Sequence, residues 1–200
     1  MAGILHILSS SDLQTSVTRE IGAAALDGLK KKYPGASVRE RDLVKSPVPH
    51  ISPDFVASRY TNPDAASLAL SRELIGEIMA SDILLIEAPM YNFSIPSVLK
   101  AWIDQVVRGG LTFKYGATGP EGLVKGKKAI LVLGRGAIYS DAPMKALDYQ
   151  ETYLRTILGF IGITDVESIA IEGISMGPEA RSKALDAARS RATAIGAKAA

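Results

Sequence analysis

Three short segments of this chain carry side chains whose types and spacing could hold a ligand. The first is Ser9-Ser10-Ser11-Asp12-Leu13-Gln14-Thr15-Ser16-Val17-Thr18, where seven of ten side chains are hydroxyls or carboxamides and a helical pattern follows. Hydroxyls beside the unpaired N–H groups of a helix N-terminus cradle phosphate, which makes this segment a candidate phosphate site. The same residue types also serve as plain helix caps, and taken alone they leave both readings open. The second segment, Pro89-Met90-Tyr91-Asn92-Phe93-Ser94-Ile95-Pro96, follows a very apolar strand. Aromatics at such a strand's carboxyl end suit a flat conjugated ring, with Tyr91 and Phe93 shielding its face and Asn92 and backbone N–H groups at its edge. An aromatic-capped turn is the alternative. The third, Gly134-Arg135-Gly136-Ala137-Ile138-Tyr139, lets backbone approach a ligand closely and adds a permanent cation, although its G-x-G lacks the third glycine of a dinucleotide fingerprint.

Other chemistries find less support. The chain has no cysteine, so disulfides, thiolate nucleophiles, iron-sulfur clusters and Cys-ligated zinc are excluded, and any redox chemistry must ride on a bound cofactor. Gly173-Ile174-Ser175-Met176-Gly177 matches the nucleophile elbow of serine hydrolases, but that order requires a later histidine and the two histidines, His6 and His50, both precede it. Neither histidine lies at ligand spacing with another metal-binding side chain, so no metal site is expected. His6 is expected in the core or at its edge. Gly126-Lys127-Lys128 lacks the upstream glycine and the Ser/Thr of a P-loop. Basic residues exceed acidic ones by two and are dispersed, which argues against a nucleic-acid partner. The N-terminal apolar stretch has no basic residues ahead of it and no run approaches membrane-spanning length, so a cytoplasmic location without membrane attachment is expected.

The elements that must position the three segments follow from hydrophobic patterning. Apolar runs alternate with helical periods, which predicts parallel strands joined by helical crossovers in one domain over 1–200. The expected strands are Gly3–Leu8, Ser37–Asp42, 83–88, 129–133 and 166–171. The expected helices are Val17–Lys32, 65–80, 97–108, 144–160 and 179–198. Charge alternation in "SVRERDL" marks the second strand as a sheet edge. The fold class is therefore α/β, a doubly wound five-stranded parallel sheet with helices on both faces. Its ligands bind beyond the carboxyl ends of the strands, where the three segments lie. A phosphate cradle, a flat aromatic slot and a close-approach glycine turn on one sheet edge are the parts that a flavin mononucleotide requires. Two long loops, 43–63 and 111–126, are expected to build a site or an interface.

The chain resembles the FMN-dependent NADH azoreductases, homodimeric flavodoxin-like enzymes that also reduce quinones. The resemblance runs nearly end to end and is carried by "APMYNFSIPSVLKAWIDQVVRGGLTFKY", "GPEGLVKGKKA", "LGFIGITDV" and "EGISMGPE". It implies that Ser10, Ser16, Val17 and Thr18 bind the FMN phosphate and ribityl chain and that Met90, Tyr91, Asn92 and Phe93 hold the ring. Gly134, Arg135, Gly136 and Ala137 would close over the other edge. Gly134 stands where the family commonly has serine, a departure expected to weaken one polar contact. Phe93, Tyr115 and Phe160 would line the substrate pocket, the last two across a dimer interface. The resemblance further implies NADH or NADPH as donor, quinone or azo acceptors and ping-pong turnover with no protein nucleophile. Arg135 is a candidate for stabilising developing charge; Arg59 reads as a surface residue, with nucleotide or substrate contact as the other reading. A homodimer is expected because Leu111, Phe113 and Tyr115 would otherwise be exposed. A flavodoxin-type electron carrier shares fold and cofactor but is usually shorter and strongly acidic, and no segment is seen for the adenylate half of FAD.

Overall fold

The structure, a computed structural model, describes residues 2–197. In chain order the elements are β1 (Gly3–Leu8), α1 (Val17–Lys32), β2 (Ser37–Asp42), α2 (Pro53–Ser58), α3 (Ala69–Met79), β3 (Ile83–Pro89), α4 (Ser97–Val106), β4 (Phe113–Gly116), β5 (Gly119–Gly122), β6 (Lys128–Gly134), α5 (Glu151–Ile161), β7 (Asp165–Ile171) and α6 (Pro178–Ala197). Five of the strands form one parallel sheet in the order β2-β1-β3-β6-β7. This is the α/β fold expected, with β2 at an edge as its charges require. Arg41 of β2 pairs with Glu73 and Glu77 of α3, so the edge is lined by charge.

Strand pleating sends alternate residues to two cores. Leu5, Ile7, Leu84, Ile86, Leu131 and Leu133 face α3, α4 and α5, while Ile4, Ile83, Leu85, Ile130 and Val132 face α1 and α6. Burying each Leu or Ile stabilises the fold by roughly 1.5 to 3 kcal/mol, so the central strands are a rigid platform for the loops at their ends. Helix α1 starts at Ser16, buries Val17, Ile21, Ala25 and Leu29 along one stripe and closes with three lysines that favour its negative end.

Three expectations are corrected. The helix expected over 144–160 is broken: a 3-10 turn, Met144–Leu147, ends before α5 begins at Glu151. Asp148 caps the new start, its Oδ1 accepting from the N–H groups of Gln150 and Glu151 at 3.0 Å each. The helix expected over 65–80 starts with a 3-10 turn, Ala66–Leu68, and becomes α-helical at Ala69. The long loops contain α2 and the β4–β5 hairpin, and Phe113 of that hairpin is buried in its own chain rather than exposed. Residue 198, the expected end of the last helix, lies outside the described residues.

Candidate functional site

From β1 the chain crosses to β2 on one side and then returns past β1 to β3, so strand order reverses between β1 and β3. The crevice of such a sheet opens there, between the carboxyl ends of those strands. The first two candidate loops leave these ends, and the third leaves β6 beside β3.

In the first loop, Ser9 donates to the carbonyl of Glu87 at 2.6 Å, and both Ser9 and Ser10 are buried. Asp12 folds the following turn. It accepts from the N–H groups of Gln14 and Thr15 and from the Thr15 hydroxyl, and the Thr15 hydroxyl is the main reason its carboxyl titrates below the usual range. Ser16 is the N-cap of α1, its Oγ accepting from Arg19 N at 3.3 Å. Val17 and Thr18, in the first turn, have no intrahelical acceptor for their N–H groups. The Thr18 side chain is turned inwards and fully buried, with Oγ1 3.0 Å from Ser16 Oγ. In this arrangement Thr18 orients the Ser16 hydroxyl rather than facing the crevice itself.

The loop after β3 is a two-residue hairpin. Tyr91 and Ser94 exchange backbone hydrogen bonds at 3.0 and 3.1 Å, and Asn92 and Phe93 between them have φ of +49° and +69°. Successive left-handed residues make the tight mirror-image turn that glycine or asparagine favours; a bulky residue there is strained by about 1 to 3 kcal/mol. The turn leaves the N–H groups of Asn92 and Phe93 without a partner among the described residues. Tyr91 Oη accepts from Ser11 N at 3.2 Å and so joins this loop to the first. Met90 N donates to Gly134 O at 2.7 Å and joins it to the third. On its outer side lies an open cleft of about 480 Å³ lined by Tyr91, Asn92, Ser94, Ser97, Lys100 and Tyr153.

The third loop is held from behind by the segment after β7. The carbonyls of Arg135, Gly136 and Ala137 accept from the N–H groups of Ile174, Ser175 and Gly173 at 3.3, 3.0 and 3.1 Å. In a trans peptide the N–H points opposite to the C=O, so the N–H groups of Gly136 and Ala137 are directed away from that segment, and neither has a partner among the described residues. This gives the G-x-S-x-G sequence a structural reason: it is the strap behind the glycine turn. A β-carbon on Gly136 would sit 3.1 Å from Ser175 Oγ. Gly134 has a comparable reason, since a β-carbon there would fall 2.8 Å from Thr18 Cγ2.

Arg135 is placed otherwise than its sequence suggested. Its guanidinium is buried and donates to Gln150 Oε1 and Glu172 Oε1 at 3.1 and 3.0 Å and to Glu151 Oε2 at 3.1 Å, with Asp148 Oδ2 at 2.8 Å. Burial pushes the Glu172 carboxyl up, but hydrogen bonds from Ser140, Tyr139 N–H and Arg135 outweigh it and hold it below the usual range. With its donors taken by these acceptors, the cation is a structural hub rather than a group facing a ligand. Asp148, Gln150 and Glu172 are parts of the site that sequence reasoning missed.

The aromatic residues form two groups within one chain. Phe93, 43% exposed, meets Tyr139 edge-on at 6.4 Å between ring centroids. Phe113 packs at a tilt against Phe160 of α5 with ring centroids 4.6 Å apart and meets Tyr115 edge-on at 5.6 Å. Tyr115 at 78% and Tyr60 at 72% are the most exposed rings. The Arg59 guanidinium lies over the Tyr60 ring at 4.8 Å, which fits neither a bare surface residue nor any ligand contact in particular.

The family described as having a flavodoxin-like fold matches residues 2–195. An FMN-dependent NADH:quinone oxidoreductase from Ralstonia nicotianae is 48% identical over 192 residues, 92% of either chain. One from Francisella philomiragia is 51% identical over 185 residues, 92% of this chain and 94% of that one. Among solved structures, an azoreductase from Bacillus anthracis superposes with a TM-score of 0.90 at 27% identity, covering 98% of this chain and 99% of that one.

Proposed function

This chain belongs to the flavodoxin-like family of FMN-dependent NADH:quinone oxidoreductases, and from that premise we propose that it binds FMN and uses NADH to reduce quinones and azo compounds. The observation that best supports FMN as its ligand is a set of backbone N–H groups, without a partner among the described residues, on three loops around one crevice: Val17 and Thr18, Asn92 and Phe93, and Gly136 and Ala137. A flavin with a phosphate tail uses all three. The α1 N-terminus and the Ser16 hydroxyl take the phosphate, with Ser10 lining the way to it. The 92–93 turn and the 136–137 backbone take the polar edges of the ring, with Tyr91 and Phe93 beside it.

When bound, FMN supplies hydride acceptance from the nicotinamide and two-electron delivery to the acceptor. The protein's work is positional and electrostatic. Backbone dipoles at 92–93 and 136–137 stabilise negative charge gathering on the ring edge, and they do so without reorganising because both loops are tied down from behind. Phe93 and Tyr139 exclude water from the crevice mouth. The one crevice would admit donor and acceptor in turn, which would give ping-pong kinetics. NADPH is the alternative donor in this reading, and the enzyme works in the cytoplasm as a homodimer. The exposed Tyr60, Leu111 and Tyr115 form the apolar surface that a second copy would cover, bringing Tyr115 and Phe160 to the partner's crevice. No helix among the described residues is long and apolar enough to cross a membrane.

The experiment is a visible spectrum of the purified protein with identification of the released flavin, followed by NADH oxidation at several fixed quinone concentrations. Bound FMN and parallel reciprocal plots are expected. A colourless protein that reconstitutes with no flavin would overturn the reading, and intersecting plots would overturn its shared-face kinetics.

A further inference from the structure

The break at 148–150, where the sequence pattern continues as helix, touches both loops assigned to the ring. Tyr149 N donates to Phe93 O at 3.1 Å, reaching the tip of the strained turn. Gln150, fully buried, donates from Nε2 to Ala88 O at 2.8 Å, two residues before Met90. The Gln150 Oε1 on the same amide accepts from Arg135 Nε at 3.1 Å in the glycine turn. One carboxamide therefore spans from the end of β3 to the loop after β6. The Arg135 guanidinium continues the link to Asp148 and Glu151 on one side and to Glu172 on the other. Glu172 in turn accepts from Tyr139 N at 2.8 Å, fixing the far end of the turn. Each donor and acceptor of Gln150 named here is buried, so none is exchanged for water without cost.

We propose that Gln150 and Arg135 are positioning residues that lock the loops after β3 and β6 into one preformed seat for the flavin ring. The proposal rests on the FMN reading above, and it separates the ring seat from the phosphate cradle, whose own turn is folded by Asp12, Ser16 and Arg19 with no bond to Gln150 or Arg135 among those of the described residues. Two consequences follow from the chemistry of the link. A side chain that fills the Gln150 site without hydrogen-bonding leaves Ala88 O and Arg135 Nε unpaired and lets the two loops move apart. The strain at Phe93 is then no longer held by its surroundings, because the peptide of Tyr149 that contacts it is anchored through the neighbouring Gln150. Ring binding should weaken for any flavin, with or without phosphate.

The test compares FMN and riboflavin, which share the ring, in fluorescence titrations of the full-length chain freed of flavin. For Gln150→Leu, about tenfold weaker binding of both ligands by the same factor is expected, with the FMN-to-riboflavin ratio unchanged. Retained affinity for both ligands in a folded Gln150→Leu protein would overturn the proposal, as would loss confined to FMN. Gln150→Glu makes the test independent of that variant's folding. Its carboxylate still accepts from Arg135, but it can donate to Ala88 O only when protonated. Flavin affinity should therefore be weak at pH 8 and recover as the pH is lowered through the titration of that carboxyl, while wild type shows no such recovery. A pH-independent Gln150→Glu affinity equal to wild type would overturn the proposal. If the wild-type chain binds neither flavin, the FMN reading itself has failed, and the variants are not needed to show it.

Discussion

Gly22 of α1 lies directly over the carboxylate of Glu87 on β3: a β-carbon at position 22 would fall within the carboxylate itself. Glu87 is fully buried and its Oε1 is 2.5 Å from His6 Nε2 on the neighbouring strand β1. The helix that begins after its Ser16 cap thus crosses the sheet over a buried polar pair, and only glycine allows that approach. His6, expected in the core or at its edge, is buried in the core beside this partner.

Gly22→Ala should therefore destabilise the fold although alanine is the better helix former. The propensity gain is about 1 kcal/mol, whereas forcing a methyl group into a filled site typically costs about 1 to 3 kcal/mol and here displaces a buried, hydrogen-bonded carboxyl as well. A net loss of about 1 kcal/mol or more is expected in urea unfolding. Combining it with Glu87→Ala, which empties the space, should restore part of that loss. Equal losses added together in the double variant would show that the two positions do not share the space.

Burial pushes the Glu87 carboxyl above the usual range, with His6 opposing the shift by its hydrogen bond and charge. The sign for stability follows: a carboxyl whose folded pKa is raised holds its proton more tightly in the native state than in the unfolded one. Its contribution is complete below its ordinary value of 4.5 and is lost as pH rises through the folded value. Glu87→Gln cannot ionise and so removes this dependence. Unfolding free energies measured between pH 4 and pH 8 should show the variant gaining on wild type as pH rises. A constant difference across that range would show that Glu87 titrates as it does in the unfolded chain.

Asp42 behaves in the opposite sense. Burial raises its carboxyl, but the Arg19 fork at 2.8 and 3.1 Å and the N–H groups of Val44 and Lys45 bring it down to about 2. A depressed folded pKa stabilises above the unfolded value of 3.8 and loses that stabilisation as pH falls towards about 2. The shift corresponds to about 2 kcal/mol at neutral pH. Arg19 also donates from Nε and Nη2 to Ser10 O, so the pair holds the first loop as well as the end of β2. Asp42→Asn should lower stability by about 1 to 2 kcal/mol at pH 7 and by much less at pH 2.5, a convergence readable from urea midpoints at the two values.

The framework of the site was legible wherever a local pattern and the tertiary structure agree. The bounds of β1, α1 and β2 follow from apolar runs, a Ser cap and the Tyr33-Pro34-Gly35 stop, all of which act within a few residues. The positions of the three loops follow from the strands they end. What the sequence could not show depends on distant partners. Helical periodicity continues through Asp148, Tyr149 and Gln150, yet their hydrogen bonds go to Phe93, Ala88 and Arg135, and those tertiary bonds outweigh helix propensity. Arg135 looked like a ligand-facing cation because its three carboxylate partners are 13 to 37 residues away. Phe93 in a left-handed turn had one available signal, the asparagine before it, which is at home at the first position of such a turn.

The proposed phosphate cradle yields the sharpest prediction, because the capping role of Ser16 is visible in the structure and must be separated from any role toward a ligand. Its Oγ accepts from Arg19 N, so Ser16→Ala should cost about 1 kcal/mol of stability whether or not a phosphate binds there. A cap alone treats all flavins alike. A hydroxyl that also donates to a phosphate adds a hydrogen bond to a charged acceptor, worth roughly 1.5 to 3 kcal/mol, or about ten- to a hundredfold in affinity. Riboflavin lacks the phosphate and serves as the internal control. Ser16→Ala should weaken FMN binding at least about tenfold while changing riboflavin binding little. Thr18→Val keeps the methyl group against Gly134 and removes only the hydroxyl 3.0 Å from Ser16 Oγ, so its effect on FMN should be in the same direction and smaller. Fluorescence titration of the flavin-free protein decides between the roles. Equal weakening of FMN and riboflavin by Ser16→Ala would reduce Ser16 to a cap and require the phosphate to be held elsewhere in the crevice.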